Sequence, residues 1–440
     1  MSPTSARSCD VLVIGGGPAG STAAGMLAQR GFRVALLEKA HHPRFHIGES
    51  LLPANLPLFE QFGVANEVRA IGIEKWAAEF ISPSDGRRQE FEFAGCWDKS
   101  MPFAYQVRRS ELDTILIRRA GFLGAQVFEG CRAEDVEFAG EGRGVRVVAN
   151  LEDGTSCAWE AQYLVDASGR DTFLGNRLHS KRRNKKHNSA AIYAHFTGAR
   201  RHPGKREGNI SIFWFDHGWF WFIPLADGAT SVGAVVWPRY LKTREVSVEE
   251  FFLATIAQCP PLAEVLEGAS LAGEVQATGN YSYTCDRSCG GNYFLVGDAY
   301  AFIDPVFSSG VMLAMQSAVA AADAIESCLR EPALAASARR RFDRMMRHGP
   351  RHFSWFIYRV TNPTMREMFL GPRNIMRVQE ALLSLLAGDI FGRTPIWGSL
   401  RLFKMLYYLI SLAHWRRTLL ASRRRSCDIR SVETEQRPAG

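Results

Sequence analysis

Three glycines at fixed spacing are the first residues of this 440-residue chain that point to a chemistry. Gly15, Gly17 and Gly20, with Ala19 between the last two, form a G-x-G-x-x-G turn. An apolar run, Asp10 to Ile14, precedes it, and an alanine-rich segment, Ser21 to Arg30, follows. One glycine permits the sharp strand-to-helix turn, one lets backbone approach a diphosphate, and one lets helix and strand pack closely. The helix then offers free N–H groups and a partial positive charge to the anion. Glu38 ends the next strand, where a carboxylate accepts from ribose hydroxyls. Strand, turn, helix and acid together predict a dinucleotide site.

A second constellation is aromatic. Trp219 and Trp221 stand two apart in Gly218-Trp219-Phe220-Trp221-Phe222-Ile223-Pro224, so on a strand they face one side. Aromatic strands ordinarily build core. Lys75 lies in Gly72-Ile73-Glu74-Lys75-Trp76. A lysine is ordinarily solvated, but burial would drive it toward its neutral, reactive amine.

The elements that must position these residues fall into blocks. Hydrophobic residues make 46% of the chain and charged residues 22%, which excludes collagen-like, coiled-coil and wholly disordered classes. The length suggests about three domains at ~150 residues each. A net charge of +8 permits acidic partners, but no nucleic-acid motif accompanies it. Nine cysteines are scattered singly. Cys285 and Cys289 have no partner pair at zinc spacing, so neither a metal site nor a disulfide framework is expected. With no apolar leader and no run of ~18 apolar residues, a cytoplasmic protein is expected. Residues 8–80 read as a βαβ unit with its cofactor loop, and 81–105 and 185–285 as short alternating strands of an antiparallel sheet. Residues 106–184 and 286–338 complete the nucleotide domain, 339–428 form a helical region, and 429–440 a disordered tail. The basic run Lys181-Arg182-Arg183-Asn184-Lys185-Lys186 reads as a solvated loop.

Three segments carry a resemblance. They are Tyr163-Leu164-Val165-Asp166-Ala167-Ser168-Gly169-Arg170, Tyr293-Phe294-Leu295-Val296-Gly297-Asp298-Ala299 and Gln106-Val107-Arg108-Arg109-Ser110-Glu111-Leu112-Asp113. They resemble the two-dinucleotide-fold flavoproteins that include para-hydroxybenzoate hydroxylase. The resemblance implies an α/β fold: a Rossmann-like FAD domain, an interleaved antiparallel-sheet substrate domain and a C-terminal helical region. It makes Arg109 and Asp298 FAD contacts and Gly48-Glu49-Ser50 the flavin loop.

Fold alone does not choose among hydroxylation, reduction and halogenation. The unbroken W-x-W-x-I-P at 219–224 resembles the signature of flavin-dependent halogenases. There the tryptophans screen an organic substrate from the flavin while a small oxidant passes. Lys75 stands where that family carries its catalytic lysine. Ser309 and Gly310, in Asp304-Pro305-Val306-Phe307-Ser308-Ser309-Gly310-Val311, match its halide-holding pair. A helix beginning near Val311 would add its dipole. Free-tryptophan halogenases carry a glutamate where this chain has Phe307, so the resemblance is closer to enzymes acting on phenols, pyrroles or carrier-bound aryl groups. It implies FADH2 from a separate reductase, O2, and chloride or bromide, giving hypohalous acid that Lys75 directs onto a ring.

The C-terminal region keeps alternatives open. Phe403 to Leu412, then His414-Trp415-Arg416-Arg417 and Arg423-Arg424-Arg425, read first as a helical cap with a solvated basic end. A helix lying peripherally on the inner membrane face fits as well, as does a docking patch for an acidic acyl carrier protein. Competing activities are a geranylgeranyl-reductase-like reductase of an isoprenoid or polyene chain and an aromatic monooxygenase; a non-enzymatic flavin-binding module would leave Lys75 and the tryptophans unexplained.

Overall fold

A computed structural model describes residues 6–83, 86–140, 144–184, 187–279, 282–371 and 374–430. Two sheets dominate it. In the first, Arg7–Ile14 pairs in parallel with Val34–Leu37 on one side and Ser156–Asp166 on the other. Gln126–Phe128 extends the parallel set beyond Val34–Leu37. The long Ser156–Asp166 strand pairs antiparallel with Val145–Leu151 over its first half and parallel with Tyr293–Leu295 at its end. Ile14, Leu37, Asp166 and Leu295 therefore finish at one edge, the edge where open α/β sheets bind ligands. The parallel strands Val11 to Ile14 and Val34–Leu37 are continuous apolar runs because both faces are covered.

The first helix, Pro18–Gln29, starts on proline and ends at Gly31, whose φ of +89° is the left-handed turn expected there. Its small residues let it pack closely on a second helix, Gly310–Arg330. That second helix is long and apolar enough to cross a membrane, yet its alanine face, with Met315 and Ile325, is buried in the core.

The second sheet runs Ser270–Leu271, Ala190–Thr197, Thr230–Val236, Gly218–Pro224, Ile210–Phe215, Ala77–Ile81, Arg88–Glu92, with Gln276–Gly279 also beside Ala190–Thr197. It is antiparallel as expected, except that Ile210–Phe215 and Ala77–Ile81 run parallel. The chain between them is long enough for the crossover a parallel pair needs. The expected polar alternation is absent, because this sheet also has two buried faces. Ile192, Phe213, Phe220, Phe222 and Val232 pack against Phe251, Phe252, Ile256 and Leu262 from helices Val248–Ala257 and Pro260–Val265. The opposite face carries Tyr193, Trp214, Trp219, Trp221 and Ile223 into the main core.

Two C-terminal expectations and one for the basic run at 181–186 differ from the structure. The last helix, Trp415–Arg430, runs past the residue 429 at which a disordered tail was expected; residues 431–440 lie outside those described. Arg425 is not part of a solvated end: its guanidinium donates to His187 Nδ1 at 2.7 Å and to the Tyr358 carbonyl. Lys181–Arg183 is a strand paired with Tyr283–Cys285, not a loop, and Lys181 lies over the Tyr283 ring. Lys185 and Lys186 fall outside the described residues.

Candidate functional site

At the ligand edge of the first sheet lies a cavity of about 870 Å³, closed on one side by the second sheet. Gly15, Gly17, Ala19, Glu38, Gly48, Glu49, Ser50, Arg109, Trp219, Trp221, Asp298, Ser309 and Gly310 all line it. Gly20 lies beneath the turn, and Lys75 stands behind Ser50.

The glycines divide their work. Gly15 has φ +101°, and a Cβ there would sit 2.4 Å from the Ala167 oxygen. A Cβ on Gly20 would come within 1.8 Å of the Gly15 oxygen, so this glycine lets the helix close on the turn. A Cβ on Gly17 would meet nothing nearer than Arg44 at 3.6 Å. Gly17 therefore opens a cradle at the helix N-terminus that no side chain fills, as a diphosphate requires. Glu38 accepts from the Gly16 N–H at 2.6 Å and the Ala40 N–H at 2.9 Å, which fixes its carboxylate at the cavity wall.

A cationic cluster flanks this cradle. Arg109 forks onto Asp113 at 2.9 and 3.1 Å and donates to the Ile47 carbonyl at 3.2 Å. Burial pushes the Asp113 carboxyl up, but Arg109, with His46 and Arg44, outweighs it and holds the group below the usual carboxylate range. Burial and then Arg109 drive His46 down to about 4. Burial raises Asp298 to about 6 against the pull of Arg109 and Arg170.

The segment from Arg44 to Ser50 runs from the cradle to the far end of the cavity. There the Lys75 amine donates to Ser50 Oγ at 3.0 Å and to the Leu51 carbonyl. Lys75 is the last residue of the short strand Ile73–Lys75, which pairs with Ala104–Gln106 and turns its side chain inward. It is 1% exposed, and burial lowers its pKa to about 7. The Phe93 ring lies 5.3 Å from the amine. A primary amine that is partly neutral near pH 7 is a nucleophile as well as a donor.

Trp219 and Trp221 face the cavity with ring centroids 6.0 Å apart. Trp221 Nε1 donates to Ser231 Oγ at 3.1 Å. Its ring lies across Gly233 on the neighbouring strand, where a Cβ would strike it at 2.1 Å. A residue without a side chain at 233 is thus what lets the indole lie flat on the sheet.

Opposite stands the 304–311 loop. Ser308 has φ +56°, and Ser309 leads into the helix Gly310–Arg330 without bonding its N-terminal N–H groups through its side chain. A Cβ on Gly310 would meet nothing within 4 Å. Phe307 is buried and stacks on Phe369 at 6.4 Å. Asp304 anchors the loop: Oδ1 accepts from the Val306 N–H at 3.2 Å, and Oδ2 meets His187 Nε2 at 2.9 Å. Arg425, which has no acceptor, donates to the other nitrogen of His187, leaving Nε2–H to donate to Asp304.

Two functional residues escape sequence reasoning. His187 and His195 carry no motif, and their acidic partners are far away in the chain. His195 Nε2–H donates to Glu49 Oε1 at 2.7 Å. Tyr193 and His195 alternate onto the same sheet face as Trp219 and Trp221, and a polar residue on that face was the available signal.

A family model described as an FAD binding domain matches residues 8–341. The chain is 38% identical over 327 residues to a tryptophan 2-halogenase of Chondromyces crocatus, covering 73% of this chain and 62% of that one. It is 31% identical over 408 residues to a 1H-pyrrole-2-carbonyl-(peptidyl-carrier protein) chlorinase of Pseudomonas fluorescens, covering 87% and 90%. Among solved structures it is similar to a myxobacterial chondrochloren halogenase, with a TM-score of 0.78 and 35% identity over 87% of this chain and 90% of that one.

Proposed function

This chain belongs to the flavin-dependent halogenases, within the flavoproteins that share the FAD binding domain, and from that premise we propose that it halogenates an electron-rich aromatic ring through Lys75. One observation carries the reading: a buried amine near neutrality is bonded to Ser50, and Ser50 lines the dinucleotide cavity. The substrate class we favour is a phenol, a pyrrole or an aryl group on an acyl carrier protein, because Phe307 supplies no acid to assist a less activated ring. The chondrochloren and pyrrolyl relatives, at 35% and 31% identity, favour halogenation over the reductase alternative.

FAD, reduced and with O2, supplies the oxidising equivalents that convert halide to hypohalous acid. The chain's own residues do the rest. The cradle at Gly17, Glu38 and the Arg109–Asp113 pair hold and orient the cofactor, with Asp298 at the cavity wall. Ser309 and the Gly310 N–H hold halide at the start of a long helix. Trp219 and Trp221 keep an organic ring out of the cavity and leave a route for a small oxidant. The Lys75 amine receives it, either by hydrogen bonding or by exchanging N–H for N–X with release of water. An aromatic C–H then takes the halogen and returns a proton.

We further read the first sheet as the cofactor domain and the second as the substrate domain, with reduced flavin arriving from a separate reductase. The exposed apolar residues Met405, Tyr408, Leu409 and Leu412, with Arg423 and Arg424 nearby, suit a peripheral membrane contact. Flotation with anionic vesicles tests that point. The activity itself is tested by supplying FADH2, O2 and chloride or bromide with a panel of phenols, pyrroles and carrier-bound acyl groups. The expected product shows a halogen isotope pattern; hydroxylated or saturated products without halogen overturn the reading.

A further inference from the structure

Halide oxidation draws on a proton. FADH2, O2, one halide ion and one proton give FAD, hypohalous acid and water. That proton must reach the oxygen that leaves as water, in a cavity whose wall includes Trp219, Trp221 and Ile223. Of the cavity-lining carboxyls among the described residues, only Glu49 has a buried oxygen without a hydrogen-bond partner. Glu49 is 2% exposed and lines the cavity. Its Oε1 is taken by His195, while Oε2, equally buried, has no hydrogen-bond partner among the described residues. A buried carboxyl oxygen left bare is costly unless a ligand or a proton completes it.

The position is also apt. Glu49 adjoins Ser50, the partner of Lys75, and His195 projects from the sheet face that carries both tryptophans. Glu49 therefore stands on the cavity wall, one residue from the serine that holds the amine. We propose that Glu49 is the proton donor for halide oxidation and that His195 is its positioning residue, an inference that rests on the halogenase reading. The proton leaves Glu49 Oε2 for the oxygen that departs as water when the halide takes the other oxygen, and bulk protons return through His195. The charged and titratable groups around the pair are Arg109 beside Gly48, Tyr193 on the histidine's own strand, Asp227 with its partner Arg108, and Lys75 across Ser50.

The test compares wild type with Glu49→Gln and His195→Gln, both close in shape to the parent. Hypohalous acid and hydrogen peroxide are measured per bound flavin, so that weakened FAD binding does not enter. Without a proton donor, FADH2 and O2 pass instead to FAD and H2O2. Glu49→Gln is expected to lower the hypohalous acid yield about a hundredfold, with peroxide rising to match. That loss should recede as the pH is lowered, whereas a merely structural defect would not respond to protons. His195→Gln, which keeps a donor to Oε1, is expected to fall between the two. A second readout uses the apoprotein. Its infrared spectrum should contain a carboxylic-acid C=O band that titrates, vanishes in Glu49→Gln and shifts in His195→Gln. Wild-type hypohalous acid yield in Glu49→Gln, or the absence of such a band, overturns the proposal. Wild type that forms no hypohalous acid at all overturns the halogenase reading instead.

Discussion

The Lys75 amine and the Ser50 hydroxyl lie 3.0 Å apart, and the serine, not the lysine, faces the dinucleotide cavity. The amine is thus one hydroxyl away from the place where an oxidant forms, yet shielded from bulk water. That shielding has a thermodynamic signature. Folded Lys75 loses its proton near pH 7, against 10.5 for an ordinary lysine. Between those values the unfolded chain holds more protons, so this residue's contribution to stability rises with pH through that window. Wild type should therefore gain stability relative to Lys75→Met by up to ~1.4 kcal/mol per pH unit above pH 7. Denaturant titrations of both proteins at a series of pH values check this; a pH-independent difference contradicts it.

The glycine turn separates folding from binding within one motif. Gly20→Ala forces a methyl against the Gly15 oxygen and should unfold the turn, lowering the melting temperature sharply. Gly17→Ala places its methyl in ordinary contact with Arg44 and should leave that temperature nearly unchanged while FAD affinity falls at least about tenfold. Melting curves and fluorescence titration with FAD distinguish the two.

Gly233→Val offers a local test of the tryptophan wall. Valine suits a strand, but its side chain would collide with the Trp221 ring. Overpacking should cost ~1–3 kcal/mol and displace the indole. Loss of coupling, seen as peroxide released in place of halogenated product, is the expected kinetic result.

Arg425 is joined to the 304–311 loop by His187, which meets Asp304. Arg425→Ala removes the donor that orients the His187 ring and frees the loop that holds Ser309. The KM for halide should rise about tenfold, consistent with ~1.4 kcal/mol from one lost charged hydrogen bond, while the Kd for FAD stays within about twofold. Steady-state kinetics with varied bromide, beside FAD titration, check the split.

Much of this site is legible in the sequence because its signals are local. The turn at 15–20, the strand end at Asp166, the Gly297-Asp298 turn and the paired tryptophans each state their geometry within about ten residues. The second sheet was less legible. Its strands are buried on both faces, so Phe220 and Phe222 look no different from Trp219 and Trp221 until the two cores are seen. Least legible were the histidines. His195 finds Glu49 across 146 positions and His187 finds Asp304 across 117, and no spacing rule spans such a distance. The burial of Arg425 was missed for the same reason: a run of three arginines suggests solvent, and only the packing of the last helix shows which one turns inward.

In the proposed reaction, halogen leaves the flavin cavity as a small oxidant and reaches the ring by way of Lys75. The most direct measurement follows both species in one reaction. Wild type and Lys75→Met are given FADH2, O2, bromide and a phenol or pyrrole that wild type accepts, and hypobromous acid is trapped while the organic product is weighed by mass spectrometry. The variant is expected to bind FAD and form trappable hypobromous acid as wild type does but to make no brominated ring. Brominated product from Lys75→Met at the wild-type yield and position would contradict it.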